Sequence, residues 1–276
     1  MQNSKSSEKS KGVFLFAFNT ATVDYVKIAD RASRLIAKNL GLPVTLCTYE
    51  DADPQFAYDR VLRLPRPDEA GNYRTNLDNE TVEWRNFGRY FAYDLTPYDE
   101  TILLDTDYLV FDDSLLALFA GDFDYRLMHH NTNYGGAVYE RMGETSLPYI
   151  WATVVLFRKT TKTQLLFELV GKVQRNYRYY RALYNIREGN YRNDYAFAIA
   201  NNIVNGYSLN ETQGIPWTML TIEDRIERTT LTDTQIRIYH QDRAVVLPHQ
   251  NIHVMDKTYL QSADFAQLVE TACEPT

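Results

Sequence analysis

Between Gly12 and Cys47 the chain places a strand, a helix and a second strand, and this constrains its fold more than any other feature. Gly12–Phe18 is a continuous apolar run of the kind buried on both faces of a sheet. After the polar turn Asn19-Thr20-Ala21-Thr22, Val26, Ala29, Ala32 or Ser33, Ile36 and Leu40 recur at helical spacing. Gly41 stands where a C-terminal cap belongs, and Pro43 opens a second apolar run, Val44–Cys47. That is the size of a βαβ unit. Such units build parallel sheets, whose ligands bind beyond the carboxyl ends of the strands.

Further elements follow in α/β order. A strand is expected at Arg60–Leu64, then a Pro/Gly/Asn-rich loop from Pro65 to Asn79, long enough to be functional. A helix is expected over Thr81–Asp94, with Trp84, Phe87, Tyr90 and Phe91 on one side. Thr101–Leu104, Asp124–His129 and Ile150–Phe157 read as strands, with the loop Asn131–Gly143 between the last two. Helical patterns cover Thr161–Tyr184 and Asp194–Val204, and strand-like pieces occupy Gln235–Tyr239 and Ala244–Leu247. No internal repeat or linker is visible. The expectation is one α/β domain over residues 12–276, a mixed central sheet flanked by helices, behind a Ser/Lys-rich mobile tail at residues 1–11.

Composition sets the outer limits. With 45% hydrophobic and 13% aromatic residues in 276, the chain has material for a core, which excludes extended disorder. No apolar run approaches the length of a membrane span, and the N-terminus carries no apolar signal segment. Cys47 and Cys273 are too few for a disulfide framework or a zinc cluster, so a reducing, cytoplasmic setting is expected, in a bacterium or a virus-infected host. A net charge of −7 argues against a surface built wholly for nucleic acid. One stretch runs the other way: Lys172, Arg175, Arg178, Arg181, Arg187 and Arg192, interleaved with Tyr177, Tyr179, Tyr180, Tyr184 and Tyr191 and opposed by Glu188. It reads either as a platform for a single-stranded or flipped-base substrate, or as a helix whose tyrosines pack while its arginines snorkel.

The chemistry concentrates at Asp105-Thr106-Asp107, directly after the apolar run Thr101–Leu104. Two carboxylates at a sheet's carboxyl edge suit a hard divalent cation that can also bridge the phosphates of a nucleotide. Two other Asp-x-Asp triplets, Asp51/Asp53 and Asp122/Asp124, sit in turn contexts and read as solvated turn residues. Arg85 and Arg89 lie four apart, on one face of the expected helix, and read as diphosphate or donor-sugar contacts or as partners of Glu80 or Glu83. His129-His130 is a rival ligand pair, whereas His240 and His249 lack a matching context.

Taken in order, several segments form a recognisable series: Trp84-Arg85-Asn86-Phe87-Gly88-Arg89-Tyr90, Tyr98-Asp99-Glu100, Asp105-Thr106-Asp107, Ser114-Leu115-Leu116-Ala117-Leu118-Phe119, Asn193-Asp194-Tyr195-Ala196, and Asn251-Ile252-His253-Val254-Met255-Asp256-Lys257. The series resembles the nucleotide-sugar glycosyltransferases of the GT-A fold, most closely the family-8, glycogenin-like group, over roughly residues 12–260. The resemblance implies a Rossmann-like mixed sheet and metal-dependent transfer of a sugar from a nucleotide-diphosphate sugar, with a UDP-sugar favoured and Mn²⁺ or Mg²⁺ as the ion. It also implies that Asp105, Asp107 and His253 ligate the metal. Phe18, Asn19, Thr20 and Tyr25 would hold the base, and Asp105 and Thr106 the nucleotide. Arg85 and Lys257 would meet the diphosphate, with Asp194 and Arg89 beside the reacting sugar. Asp194 would orient a sugar hydroxyl or act as a base.

The chain departs from that pattern in two places. Trp151-Ala152-Thr153 stands where the family has Asn-x-Gly, and the glycine and Lys-Pro-Trp ending near His253 and Lys257 are missing. Other readings stay open: a DNA-modifying sugar transferase using the arginine–tyrosine stretch, a non-catalytic nucleotide-sugar-binding protein, and a haloacid-dehalogenase-type phosphohydrolase. The last fits poorly, because Tyr108 replaces its glycine and a complete βαβ unit precedes its motif. The acceptor, whether glycan, protein or nucleic acid, has no code in the residues.

Overall fold

In the computed structural model, residues 9–66, 72–75, 81–86, 88–136, 147–187, 189–208, 214–240 and 243–274 are described. β1 (Lys11–Phe16), α1 (Tyr25–Leu40) and β2 (Val44–Tyr49) form the βαβ unit, and β3 (Arg60–Leu64) extends it. α1 begins where Asp24 accepts a hydrogen bond from the Lys27 N–H, and it ends at Gly41, whose φ of 62° favours glycine. Of the tail expected over residues 1–11, residues 1–8 lie outside the described residues. Ser10 is already held, its N–H and hydroxyl both donating to Asp99 Oδ2 at 2.9 Å, and Lys11 belongs to β1.

The helix expected over Thr81–Asp94 is not there. β4 (Asn72–Thr75) instead pairs antiparallel with β5 (Thr81–Trp84), followed by a 3₁₀ turn at Arg89–Phe91 and a single α-turn, α2 (Ala92–Leu95). Thr81 and Val82 are β-branched, and Gly88 falls mid-pattern, where glycine costs a helix about 1 kcal/mol. Arg85 and Arg89 therefore share no helical face. Phe87, Glu80 and Glu188 lie outside the described residues, as does most of the loops at 65–79 and 131–143.

Next come β6 (Glu100–Leu104), β7 (Tyr108–Leu109), a 3₁₀ helix at Ser114–Phe119, β8 (Tyr125–Met128), β9 (Asn131–Asn133) and β10 (Trp151–Arg158). The helix expected over 161–184 is two, α3 (Thr161–Arg175) and α4 (Tyr177–Leu183), broken at Asn176. That side chain caps α3 by donating to the Lys172 carbonyl at 2.9 Å, a local bond that competes with helix continuation. α5 (Asn193–Val204) precedes β11 (Met219–Ile222), β12 (Arg228–Leu231), β13 (Gln235–His240), β14 (Arg243–Pro248), β15 (Ile252–Val254), α6 (Lys257–Gln261) and α7 (Ala263–Cys273).

The central sheet is mixed and flanked by helices, as the sequence implied. Its order is β3-β2-β1-β6-β10-β8, with β3, β2, β1 and β6 parallel and β10 antiparallel to both its neighbours. A second sheet runs β7-β15-β11-β9 and a third, antiparallel, β12-β13-β14. α1 binds the first two layers together. Ala29, Ile36 and Leu40 pack into the main core, while Ile28 and Leu35 join Leu109, Ile222, Ile252 and Phe265 in a second one. In the central sheet the chain leaves β1 to one side, towards β2, and returns on the other as β6. The crevice of an open α/β sheet lies at such a switch point. Among the described residues no helix is long and apolar enough to cross a membrane.

Candidate active site

A cleft of about 390 Å³ opens beyond the carboxyl ends of β1 and β6. β1 delivers Phe18 to it, and β6 ends in a tight turn that delivers Asp105, Thr106 and Asp107. The turn is fixed by the backbone: Asp105 N–H donates to the Thr153 carbonyl at 3.0 Å, and Tyr108 N–H to the Asp105 carbonyl at 3.1 Å. Val254 N–H donates to the Asp107 carbonyl at 2.9 Å, which ties β15 to this turn and brings His253 beside Asp107. Tyr25, Arg85, Arg89, Asp194, His253 and Lys257 line the same cleft. Asn19 and Thr20 do not. Their side chains accept from Val26 N–H at 2.9 Å and Val23 N–H at 3.1 Å, shaping the entry to α1.

Each carboxylate from the expected site has its own cation. Arg89, 1% exposed, donates to Asp105 Oδ1. Lys257 Nζ donates to Asp107 Oδ2 at 2.5 Å and to the Met255 carbonyl at 3.1 Å, while His253 Nε2 stands 3.4 Å from the same Oδ2. Arg192 Nε and Nη2 meet Asp194 Oδ2 at 3.0 and 2.9 Å, and Ala152 N–H donates to Asp194 Oδ1 at 2.9 Å. Burial alone raises both carboxyls of the Asp-x-Asp pair. It prevails at Asp105 against the pull of Arg89, whereas Lys257 and His253 overcome it at Asp107 and hold that carboxyl far below the ordinary range.

Several buried polar atoms on these residues have no hydrogen-bond partner: Asp107 Oδ1, Arg89 Nε and Nη2, and Arg85 Nε and Nη1. Unpartnered buried groups are costly, and a ligand is one way to satisfy them. The arginine atoms ask for an acceptor and Asp107 Oδ1 for a cation or donor. Arg85 also pairs with Glu83 at 2.6 Å, the ion-pair partner that the sequence reading offered as an alternative. Among the described residues no three His, Cys, Asp or Glu side chains converge as a ready metal cage.

The structure adds two site residues that sequence reasoning assigned elsewhere, Tyr191 and Arg192. Arg192 is read above as part of the arginine–tyrosine stretch, yet it lines the cleft and grips Asp194. Its position two residues before that aspartate, at a helix start, was the available signal. The stretch itself breaks up. Tyr177, Tyr180 and Tyr191 are buried, Arg181 donates to the Ile186 and Arg187 carbonyls at 3.0 and 2.8 Å, and Arg175 lies over the Tyr90 ring. Lys172, Arg178 and Tyr179 remain exposed. His129 and His130 lie outside the cleft lining, with ring centroids 6.5 Å apart. Asp51 pairs with Arg66 at 2.9 Å and Asp122 is solvated, in keeping with turn roles.

No protein-family model and no curated protein matches the chain. Among solved structures it is similar to the glycosyltransferase GlyE of Streptococcus pneumoniae TIGR4, at 15% identity over 76% of this chain, with a TM-score of 0.40. It is also similar to the galactosyltransferase LgtC, solved with donor and acceptor sugar analogs, at 15% identity over 69% of this chain, with a TM-score of 0.44. An active-site mutant of LgtC gives 15% identity, 69% coverage and a TM-score of 0.46. The matches span 45% of the GlyE chain, and 70% and 69% of the two LgtC chains.

Proposed function

We propose that the chain is a glycosyltransferase, moving a sugar from a nucleotide-diphosphate sugar to an acceptor with a divalent cation, Mn²⁺ or Mg²⁺, in the site. A UDP-sugar is the favoured donor. One observation carries the reading: a single cleft at the sheet's switch point gathers acidic and basic side chains whose buried atoms lack partners. A diphosphate and a cation together satisfy both kinds of atom. Phe18 and Tyr25 supply aromatic faces for the base. Arg85, Arg89 and Lys257 supply charge-assisted hydrogen bonds for the diphosphate.

Asp105, Asp107 and His253 would hold the ion. The donor set fits, because carboxylate oxygens and an imidazole nitrogen suit Mn²⁺, and Asp107 Oδ1 is buried without a partner. When bound, the ion neutralises charge on the leaving diphosphate. Lys257 adds a second positive charge at the same place. Asp194 has both oxygens engaged, by Ala152 N–H and by Arg192, which favours an orienting and electrostatic role beside the sugar over proton abstraction.

The test is release of nucleoside diphosphate from a panel of UDP-, GDP-, CDP- and dTDP-sugars, with and without Mn²⁺. Turnover of one donor, lost with a chelator and lowered about 100-fold or more in Asp194→Asn, is expected. Diphosphate binding without release from any donor, whatever acceptor is supplied, would instead establish a non-catalytic nucleotide-sugar-binding protein.

A further inference from the structure

His253 is the end of a buried polar chain that crosses three strands of the second sheet. β9, β11 and β15 lie side by side, with Thr221 directly opposite His253 and next to the Asn131 strand. Thr221 and Asn131 are fully buried, and His253 is 6% exposed. Thr221 Oγ1 donates to Asn131 Oδ1 at 2.8 Å and lies 3.2 Å from His253 Nδ1. A hydroxyl carries one proton. With that proton spent on Asn131, the contact to the imidazole requires the ring to donate, so Nδ1 bears the hydrogen. Neutral His253 then presents its Nε2 lone pair towards Asp107. Nε2 stands 3.4 Å from Asp107 Oδ2, longer than a charge-assisted hydrogen bond. The Trp151 ring stands edge-on, 6.4 Å from the imidazole, on the cleft side.

We infer that Thr221 and Asn131 are positioning residues that lock His253 in its Nδ1–H tautomer, so that Nε2 offers a lone pair to a cation shared with Asp107. The inference rests on the divalent-ion reading above for its purpose, though not for its geometry. Thr221 is the side chain that meets Nδ1, and a ring without that contact would be free to turn its N–H towards Asp107 and close the position. Outer groups of this kind tune metal affinity by about 10–100-fold.

Two measurements on the full chain separate the claim from that reading. The first needs no metal: ¹⁵N shifts of the His253 ring at pH 8, assigned with His253→Gln. Protonated Nδ1 and bare Nε2 are expected in wild type, with loss of that preference in Thr221→Val and its return in Thr221→Ser. A wild-type ring protonated at Nε2 would overturn the inference, because it would mean that the Asn131 amide donates to Thr221 and the hydroxyl donates to the ring. The second is Mn²⁺ affinity by electron paramagnetic resonance in the presence of UDP. Thr221→Val should weaken it about tenfold and Thr221→Ser should restore it. Equal affinity in all three proteins would also overturn the inference. No Mn²⁺ binding by wild type, with the Nδ1–H tautomer in place, would sink the divalent-ion reading and leave the relay standing.

Discussion

Lys257 and Asp107 are each mostly buried, with side chains 14% and 12% exposed, so each is tolerable in the cleft largely because of the other. Removing one partner of such a pair leaves the second charge uncompensated, at a cost of about 3–5 kcal/mol. Lys257→Met should therefore lower stability towards urea by that order, and adding Asp107→Asn should recover most of the loss. The pH dependence follows from the direction of the Asp107 shift. Its folded carboxyl lies far below the unfolded value of about 3.9, so its contribution is complete above that value and fades as pH falls towards the folded one. The stability gap between wild type and Asp107→Asn should stay flat from neutral pH to about pH 5 and narrow only in stronger acid. A gap that already narrows between pH 7 and 6 would contradict a carboxyl held that far below its unfolded value.

At the scale of elements, Asn251 is the joint that places β15. Its Oδ1 accepts from Phe111 N–H at 2.7 Å and Asp112 N–H at 3.0 Å, while its Nδ2 donates to Asp112 Oδ1 at 2.8 Å and Ser114 Oγ at 3.0 Å. Asn251→Ala should cost about 1–3 kcal/mol in stability, through the backbone N–H groups it leaves unpaired, and should weaken nucleotide binding through His253. β1 approaches Tyr98 so closely that a Cβ on Gly12 would lie 2.3 Å from its ring. Gly12→Ala should then cost about 1–3 kcal/mol in denaturant unfolding, as overpacking does. Long elements with an uninterrupted pattern were legible: β1, α1 with its Gly41 cap, β2, β6 and β10 all stand where the residues put them. The short strands β7, β9, β11 and β15 were not, because runs of two to four residues are too brief to show a period. The 81–94 segment misled for a related reason. Aromatic spacing suggested a helix, but pairing with residues 72–75 decides its first half and Gly88 its second.

Across the whole molecule, the cleft collects residues from nearly the full length of the chain, from Phe16 to Gln261. Order along the sequence made some of them readable, such as Asp105 and Asp107 after β6 and Asp194 at the opening of α5. Arg192 was hidden because counting charges cannot tell an arginine that turns into a cleft from one that stays on a surface. The same limit applies to the arginine–tyrosine stretch, whose members part company at Asn176. For a protein of net charge −7, the remaining exposed cations make a weak case for a nucleic-acid acceptor. Replacing Arg175, Arg178 and Arg181 together by Gln should leave nucleoside-diphosphate binding unchanged and produce no salt-dependent change in DNA affinity. A loss of DNA binding that steepens with salt would revive the DNA-modifying reading.

The central claim, a cation-assisted nucleoside-diphosphate site at Asp107, is most directly tested by thermal titration with UDP, GDP, CDP and dTDP, each with and without Mn²⁺. A ligand that binds only the folded state raises apparent stability with occupancy. Wild type should be stabilised by one diphosphate, UDP above the others, more strongly with Mn²⁺ than without, and Asp107→Ala should lose that gain. No stabilisation by any of the four, in either condition, would contradict the account.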